Sequence, residues 1–230
     1  MSYTTLLVDL DDTVYPAGNG VWDAIAVRIE RYMHERLGLS LEEIPAIRND
    51  LHTRFGTTLR GLTETRQIDE LDYLAFVHDI PLGEFLAPDL AVRTALQACP
   101  LRKTIFTNAD QAHALRVLKA LDLHDLFDRI IDIRAIRPYC KPMPQAFEIT
   151  LGLLDCSPQE CIFLDDAPRN LSAAQQLGIT PVLVSPTPPQ HPNGLWLSSL
   201  ANLAELDIRL GIGSGKTGLN SSQFNRDMVP

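Results

Sequence analysis

Asp9 and Asp11 stand two residues apart, directly after the apolar run Leu6, Leu7, Val8. Such a run reads as the end of a buried strand, and parallel strands in α/β folds offer their polar groups at their C-terminal ends. Two acids placed this way can divide labour. One attacks or holds a metal while the other moves protons, provided their environments differ. An acidic turn between a strand and a helix would look the same, so the pair alone decides nothing. Three more groups recur in comparable positions. Thr107 and Asn108 end the run IFTN, Lys141 stands in CKPMP, and Asp165 and Asp166 end IFLDD. Pro142 pushes Lys141 toward an extended backbone, and Pro144 suits the first turn of a helix. Acids, a hydroxyl, an amide and one cation are the inventory of a magnesium-assisted phosphoryl transfer. Each motif is weak alone; together, in this order, they point to one catalytic edge.

The elements that must position these groups alternate. Helical patterns over 89–98, 111–121, 144–154 and 171–177 lead in turn to strand patterns over 103–108, 129–133, 161–166 and 181–184. That alternation predicts an α/β fold with a doubly wound, parallel, Rossmann-like sheet. Right-handed crossovers then bring the C-terminal ends of all strands to one edge. Between the first strand and this alternating region the texture is purely helical. Trp22, Ile25, Ile29, Tyr32, Met33 and Leu37 form an apolar stripe at spacings of three and four. The pattern continues over 41–55, where Pro45 requires a place in the first turn. After a break at Gly56 it resumes over 59–65 and 68–79. A small all-helical cap inserted after the first strand is therefore expected. It covers 16–82, with the catalytic core over 1–15 and 83–210. Prolines 186, 188, 189 and 192 mark a loop before a short helix over 200–206. Residues 211–230, rich in Gly, Ser and Asn, are expected to form a disordered tail.

Composition narrows the partners. With 230 residues and 45% hydrophobic content, the chain can bury a core without disulfides. Twenty basic against 29 acidic residues give a net charge of −9, the wrong sign for a polynucleotide partner. A small phosphorylated metabolite is compatible, because a metal and one or two cations neutralise it locally. The cap follows the same rule, with seven arginines, no lysine and eleven acids between Pro16 and Leu82. Cys99, Cys140, Cys156 and Cys161 have no histidine at ligand spacing and read as reduced thiols of a cytoplasmic protein. The chain opens directly into a strand, so neither a signal peptide nor a membrane span is expected.

DLDDT, FTN, the lone KP and FLDDAPRN resemble the four motifs of the haloacid dehalogenase-like (HAD) phosphohydrolases, and the likeness runs from Thr4 to about Leu206. TVYP followed by GVWDAI, then GTTLRGL and VHDIPL, look most like the pyrimidine 5′-nucleotidase branch. The resemblance implies Asp9 as nucleophile, forming an aspartyl-phosphate. It implies Asp11 as the group that protonates the leaving oxygen and then deprotonates water. Thr107 and the Asn108 backbone N–H are implied to hold phosphoryl oxygens, and Lys141 to neutralise phosphate charge and steady Asp9. Mg²⁺ is implied on the Asp9 carboxylate, the Asp11 carbonyl and the Asp166 carboxylate, with Asp165 acting through water and Asn170 in support. An acid that carries protons near neutrality needs a raised pKa, which burial under the cap is expected to supply for Asp11. The metal-free dehalogenases of the same superfamily need no second acid at position 11.

The implied substrate is a nucleoside 5′-monophosphate, especially a pyrimidine one. The alternative is another small phosphate, such as a sugar phosphate or phosphoglycolate. A non-enzymatic phosphoaspartate regulatory domain, like a bacterial receiver, also uses acids, Thr and Lys around Mg²⁺. Its lysine follows the last strand, whereas Lys141 precedes the fourth. Thr58 and Arg60, between cap helices, are candidate substrate contacts. GIGSGKT over 211–217 lacks the first glycine of a phosphate loop and its strand–loop–helix context. His34, His52, His78 and His113 fall in helical segments and read as surface or core histidines. Tyr32, Phe55, Tyr73 and Phe76 read as core, with one of them a candidate for stacking on a base.

Overall fold

The computed structural model describes residues 2–189 and 194–212. Six strands form one sheet: β1 (Thr5–Val8), β2 (Arg102–Phe106), β3 (Arg129–Ile131), β4 (Cys161–Asp165), β5 (Thr180–Val184) and β6 (Leu195–Leu197). Their order is β3-β2-β1-β4-β5-β6, and every neighbouring pair is parallel. The reversal of order beside β1 is the switch point at which open α/β sheets place their ligands.

Side-chain alternation along each strand divides the interior in two. Leu6, Val8, Ile105, Ile162 and Leu164 enter one core, while Leu7, Phe106, Phe163 and Ile131 enter the other. Helices α1 (Val21–Glu35), α2 (Ile44–Phe55), α3 (Thr58–Arg66) and α4 (Glu70–Val77) lie between β1 and β2 in sequence and constitute the inserted helical cap. They share the first core with α5 (Leu90–Ala98) and α6 (Gln111–Ala120). α7 (Pro144–Leu154) and α8 (Pro168–Gln176) cover the second face, and α9 (Ala204–Leu210) closes the described chain. Asp89 and Asp110 cap α5 and α6 by accepting from first-turn N–H groups.

Three expectations need correction. β6 was not expected, because three residues after a proline-rich loop carry too little pattern. α8 begins at Pro168 rather than 171, which puts Asn170 in its first turn. Trp22, expected in the buried stripe of α1, is 49% exposed, while Val21 takes the buried place. The expected tail falls, from residue 213 onward, outside the described residues.

The α2–α3 contact depends on one glycine. A Cβ on Gly61 would sit 2.6 Å from Leu51 Cδ2 and 2.7 Å from its Cβ. Alanine gains about 1 kcal/mol of helix propensity, but overpacking costs about 1–3 kcal/mol. Gly61→Ala is therefore expected to lower the melting temperature by a few degrees. A melt at or above wild type would show that the two helices separate freely.

Candidate active site

Register delivers the site. Val8 lies opposite Ile105 on one side and Leu164 on the other, so the residues just past β1, β2 and β4 emerge side by side. Asp9 N–H donates to Leu164 O at 2.8 Å and Thr107 N–H to Ile131 O at 3.0 Å, which continues the ladders into the site. The edge thus collects Asp9, Asp11, Thr107, Asn108, Asp165 and Asp166. Lys141 joins them from the loop before α7.

Lys141 is the hub. Its side chain is 1% exposed, and its Nζ donates to Asp9 Oδ1 at 2.6 Å and to Asp165 Oδ2 at 2.8 Å. The ammonium lies 5.2 Å from the ring centres of both Phe106 and Phe163, and these pack with Phe147 as an aromatic floor. Burial alone would depress the lysine, but Asp165 and Asp9 outweigh it and hold its pKa above the usual value. The loop is fixed by an amide pair: Lys141 N–H donates to Asn108 Oδ1, and Asn108 Nδ2 donates to Lys141 O, both at 2.9 Å. The Asn108 side chain is thereby occupied, leaving its backbone for other work.

Asp165 is fully buried, and both its oxygens are engaged. They accept from Lys141, from Asn170 Nδ2 at 3.0 Å and from Ala167 N–H at 2.8 Å. Its place is as the anchor of Lys141, with Asn170 holding it in turn. The Thr13 hydroxyl sits between Asp166 N–H, from which it accepts at 3.0 Å, and Asp166 Oδ1. Burial pushes the Asp9 carboxyl well above the ordinary carboxylate range; Lys141 pulls it back, and Asp165 and Asp166 push it further up. Burial and Asp165 likewise raise Asp166. Carboxylate oxygens of Asp9, Asp165 and Asp166 lie within 4.8 Å of one another. Three acids against one ammonium leave an excess of negative charge, and an all-oxygen donor set suits a hard divalent cation. Asp165 has both oxygens engaged, whereas among the described residues Asp9 and Asp166 each keep one oxygen outside these hydrogen bonds and could hold such an ion.

Asp11 departs from expectation. Tyr15 Oη donates to its Oδ1 at 2.6 Å, and His113 Nε2 lies 2.9 Å from the same oxygen. Burial pushes the Asp11 carboxyl up, yet His113, by charge and hydrogen bond, and Tyr15 outweigh it and hold the pKa below the ordinary value. The expected rise is not found in this state of the protein, because burial brought these donors with it. Asp12, to which the sequence assigns no role, is raised to about 6 by burial, Asp166 and Asp11, and among the described residues keeps a buried oxygen without a partner.

A cavity of about 580 Å³ opens over the edge. Asp9, Asp11, Thr107, Asn108, Lys141 and Asp166 form its base. The cap supplies Trp22, Ile25, Ile29, Leu74 and Val77 as an apolar wall, with Arg48, Asn49 and His52 beside it. Thr58 lines this cavity; Thr57, not Thr58, caps α3 by accepting from Arg60 N–H at 3.1 Å. Arg60, the other expected substrate contact, is 3% exposed and points elsewhere. Its guanidinium pairs with Glu70 and donates to Ile133 O at 2.7 Å and Tyr139 O at 3.2 Å, tying cap to core. A buried guanidinium with three acceptors is a strut. Tyr32 packs edge-on against Tyr73 and Phe76, leaving Trp22 as the more open aromatic of the wall. Cys140 is a packed thiol, donating to Phe55 O at 3.3 Å. His52 accepts from Arg169 at 2.7 Å across the cavity mouth.

A family model described as haloacid dehalogenase-like hydrolase matches residues 3–178. Phosphate metabolism protein 8 of Saccharomyces cerevisiae is 30% identical over 192 residues, which is 76% of this chain and 59% of that protein. The chain spans less than two thirds of the length of the curated relatives it matches. Among solved structures, a HAD phosphatase from Thermococcus onnurineus superposes with a TM-score of 0.59 at 20% identity, over 90% of this chain and 98% of that one. The L-2-haloacid dehalogenase of Xanthobacter autotrophicus with chloropropionic acid covalently bound gives 0.57 at 15%, over 90% and 98%. The fold is thus shared with a phosphatase and a dehalogenase alike, and the side chains have to distinguish them.

Proposed function

The chain belongs to the haloacid dehalogenase-like hydrolases, and from that membership we propose that it is a Mg²⁺-dependent phosphomonoesterase working through an aspartyl-phosphate on Asp9. One observation carries the choice over dehalogenation: a second carboxyl, Asp11, enters the same cavity as Asp9 and is held there by two hydrogen bonds. An ester oxygen leaves with a proton, whereas a halide needs none. The cavity, at about 580 Å³, also fits a nucleotide-sized ligand better than a small haloacid.

The Asp9 and Asp166 carboxylates, with the Asp11 carbonyl, are the groups assigned to Mg²⁺. When bound, the ion supplies charge neutralisation that lets an anionic carboxylate approach an anionic phosphate. Asp9 attacks phosphorus while the bond to the ester oxygen breaks, and Asp11, which must enter this step protonated against the pull of His113 and Tyr15, gives that oxygen its proton. Asp11 then takes a proton from water, the water oxygen attacks the phosphoenzyme, and inorganic phosphate leaves with Asp9 restored. Thr107 Oγ1 accepts from Ala109 N–H at 2.9 Å, so its own hydrogen is free to donate to a phosphoryl oxygen. The Asn108 N–H assists, and Lys141 offsets charge on Asp9 throughout.

For substrate we assign a nucleoside 5′-monophosphate, pyrimidine before purine. The apolar cap wall with Trp22, beside the polar Asn49 and Thr58, supports a base, flat and polar at its edge. A small acidic phosphate such as phosphoglycolate is the second reading. Arg169 favours it, because among the described residues this cavity-lining cation donates only to His52 and the Gly56 carbonyl, neither of them an anion. Four cysteines present as thiols rather than disulfides accord with a cytoplasmic setting.

A phosphate-release screen over nucleotides, sugar phosphates and phosphoglycolate, with Mg²⁺ or EDTA, tests the reading. CMP and UMP are expected to lead, and EDTA to reduce release to background. A flat profile would remove the nucleotide assignment, and indifference to EDTA would remove the metal.

A further inference from the structure

We propose that Tyr15 and His113 are positioning residues that fix the Asp11 carboxyl by its Oδ1, leaving Oδ2 as the oxygen that meets the substrate. The inference rests on the phosphomonoesterase reading. Both donors converge on Oδ1, and among the described residues no hydrogen bond engages Oδ2. An oxygen accepting two hydrogen bonds is held in place, which leaves Oδ2 as the one able to meet the ester oxygen.

Each donor is built in. Tyr15, 3% exposed, lies four residues after Asp11, and the turn between them closes through Val14 N–H to Leu10 O at 2.9 Å, with Asp12 at φ 59°. Burial and Asp11 raise the Tyr15 pKa far above its usual value, so the phenol stays a donor. His113 is 1% exposed in the first turn of α6, where its own N–H donates to the cap residue Asp110 at 3.0 Å. His78, the C-cap of α4, stacks on His113 with ring centres 4.2 Å apart and bonds Asp110 at 3.0 Å. The imidazole is therefore held on its face and along its backbone. Among the described residues its Nδ1 is buried without a partner. A hydrogen there would be orphaned, which makes Nε2 the nitrogen whose hydrogen is directed at Asp11.

Orientation of an acid matters most when the departing group needs its proton. We would measure kcat/KM, which covers steps up to alcohol release, for the full chain, Y15F and H113Q with Mg²⁺. The substrates run from 4-nitrophenyl phosphate, whose phenolate leaves unaided, to alkyl phosphates, whose alkoxide does not. Y15F removes one oxygen from a packed ring. It is expected to lose on the order of tenfold or more on alkyl esters and to stay near wild type on the nitrophenyl ester. H113Q is expected to follow the same pattern, and it carries the comparison if Y15F does not fold. Equal loss on every ester, or none on any, would overturn the positioning role while leaving the phosphatase reading intact. A wild-type chain that cleaves none of the series would overturn both.

Discussion

Asp9→Asn is expected to lower turnover of 4-nitrophenyl phosphate by roughly four orders of magnitude or more while leaving the protein as stable as wild type, or more so. The two halves of this result come from the same geometry. Among the described residues the Asp9 carboxylate is the group at the base of the cavity both close to the proposed ion and held by Lys141, so an amide there has no negative oxygen to attack with. Its loss nevertheless relieves the fold. Asp9 sits within 4.8 Å of Asp165 and Asp166, and burial with these neighbours raises its pKa well above normal. A carboxyl raised in the folded state opposes folding once it ionises. Lys141 keeps Asp165 as a partner in the variant. Thermal melts of metal-free wild type and variant, beside steady-state rates, check both halves. Residual activity near wild type would remove Asp9 as nucleophile. Lost activity with a matching fall in melting temperature would make the effect structural.

The four motifs were legible because a parallel sheet converts separation in sequence into adjacency in space. Asp9, Thr107 and Asp166 are far apart in the chain, but each follows an apolar run, and runs that pair in parallel end together. Lys141 was legible by type and by its proline, though not its depth; only packing shows it between Phe106 and Phe163. What escaped lies away from the strand ends. His113 shares its buried face with Ala114, Val117 and Leu118, a face that reads as ordinary core. A histidine on such a face must find a polar partner or be left unsatisfied, and that was the signal available. Tyr15 carried a similar one, an aromatic four residues after an acid, but a turn with a left-handed Asp12 is what folds it back. Arg60 misled because its position in the first turn of α3, after the break at Gly56, suits either a ligand or a strut. The choice depended on Ile133 and Tyr139, more than seventy residues away.

Lys141→Met makes the largest demand on the fold. The substitution keeps the stem over the aromatic floor and removes the charge, so three carboxylates are left in one buried cluster with no ammonium. Removing one partner of a buried ion pair costs about 3–5 kcal/mol, which for a chain of this size lowers the melting temperature by on the order of 10 °C. The sign of the pH dependence follows. The Asp9 and Asp166 carboxyls are already raised in the folded state, and loss of Lys141 raises them further. The fold is then favoured below their unfolded pKa and loses stability as pH rises through the higher folded values. The gap to wild type should therefore narrow on mild acidification. Mg²⁺ should narrow it as well, because a cation held by Asp9 and Asp166 offsets the same charge. It should not restore turnover, since an ion shared with the phosphate does not replace a cation fixed on the nucleophile. Melts of the variant at neutral and mildly acidic pH, with and without Mg²⁺, separate these effects. A deficit indifferent to both would mean that Lys141 stabilises the site by packing rather than by charge.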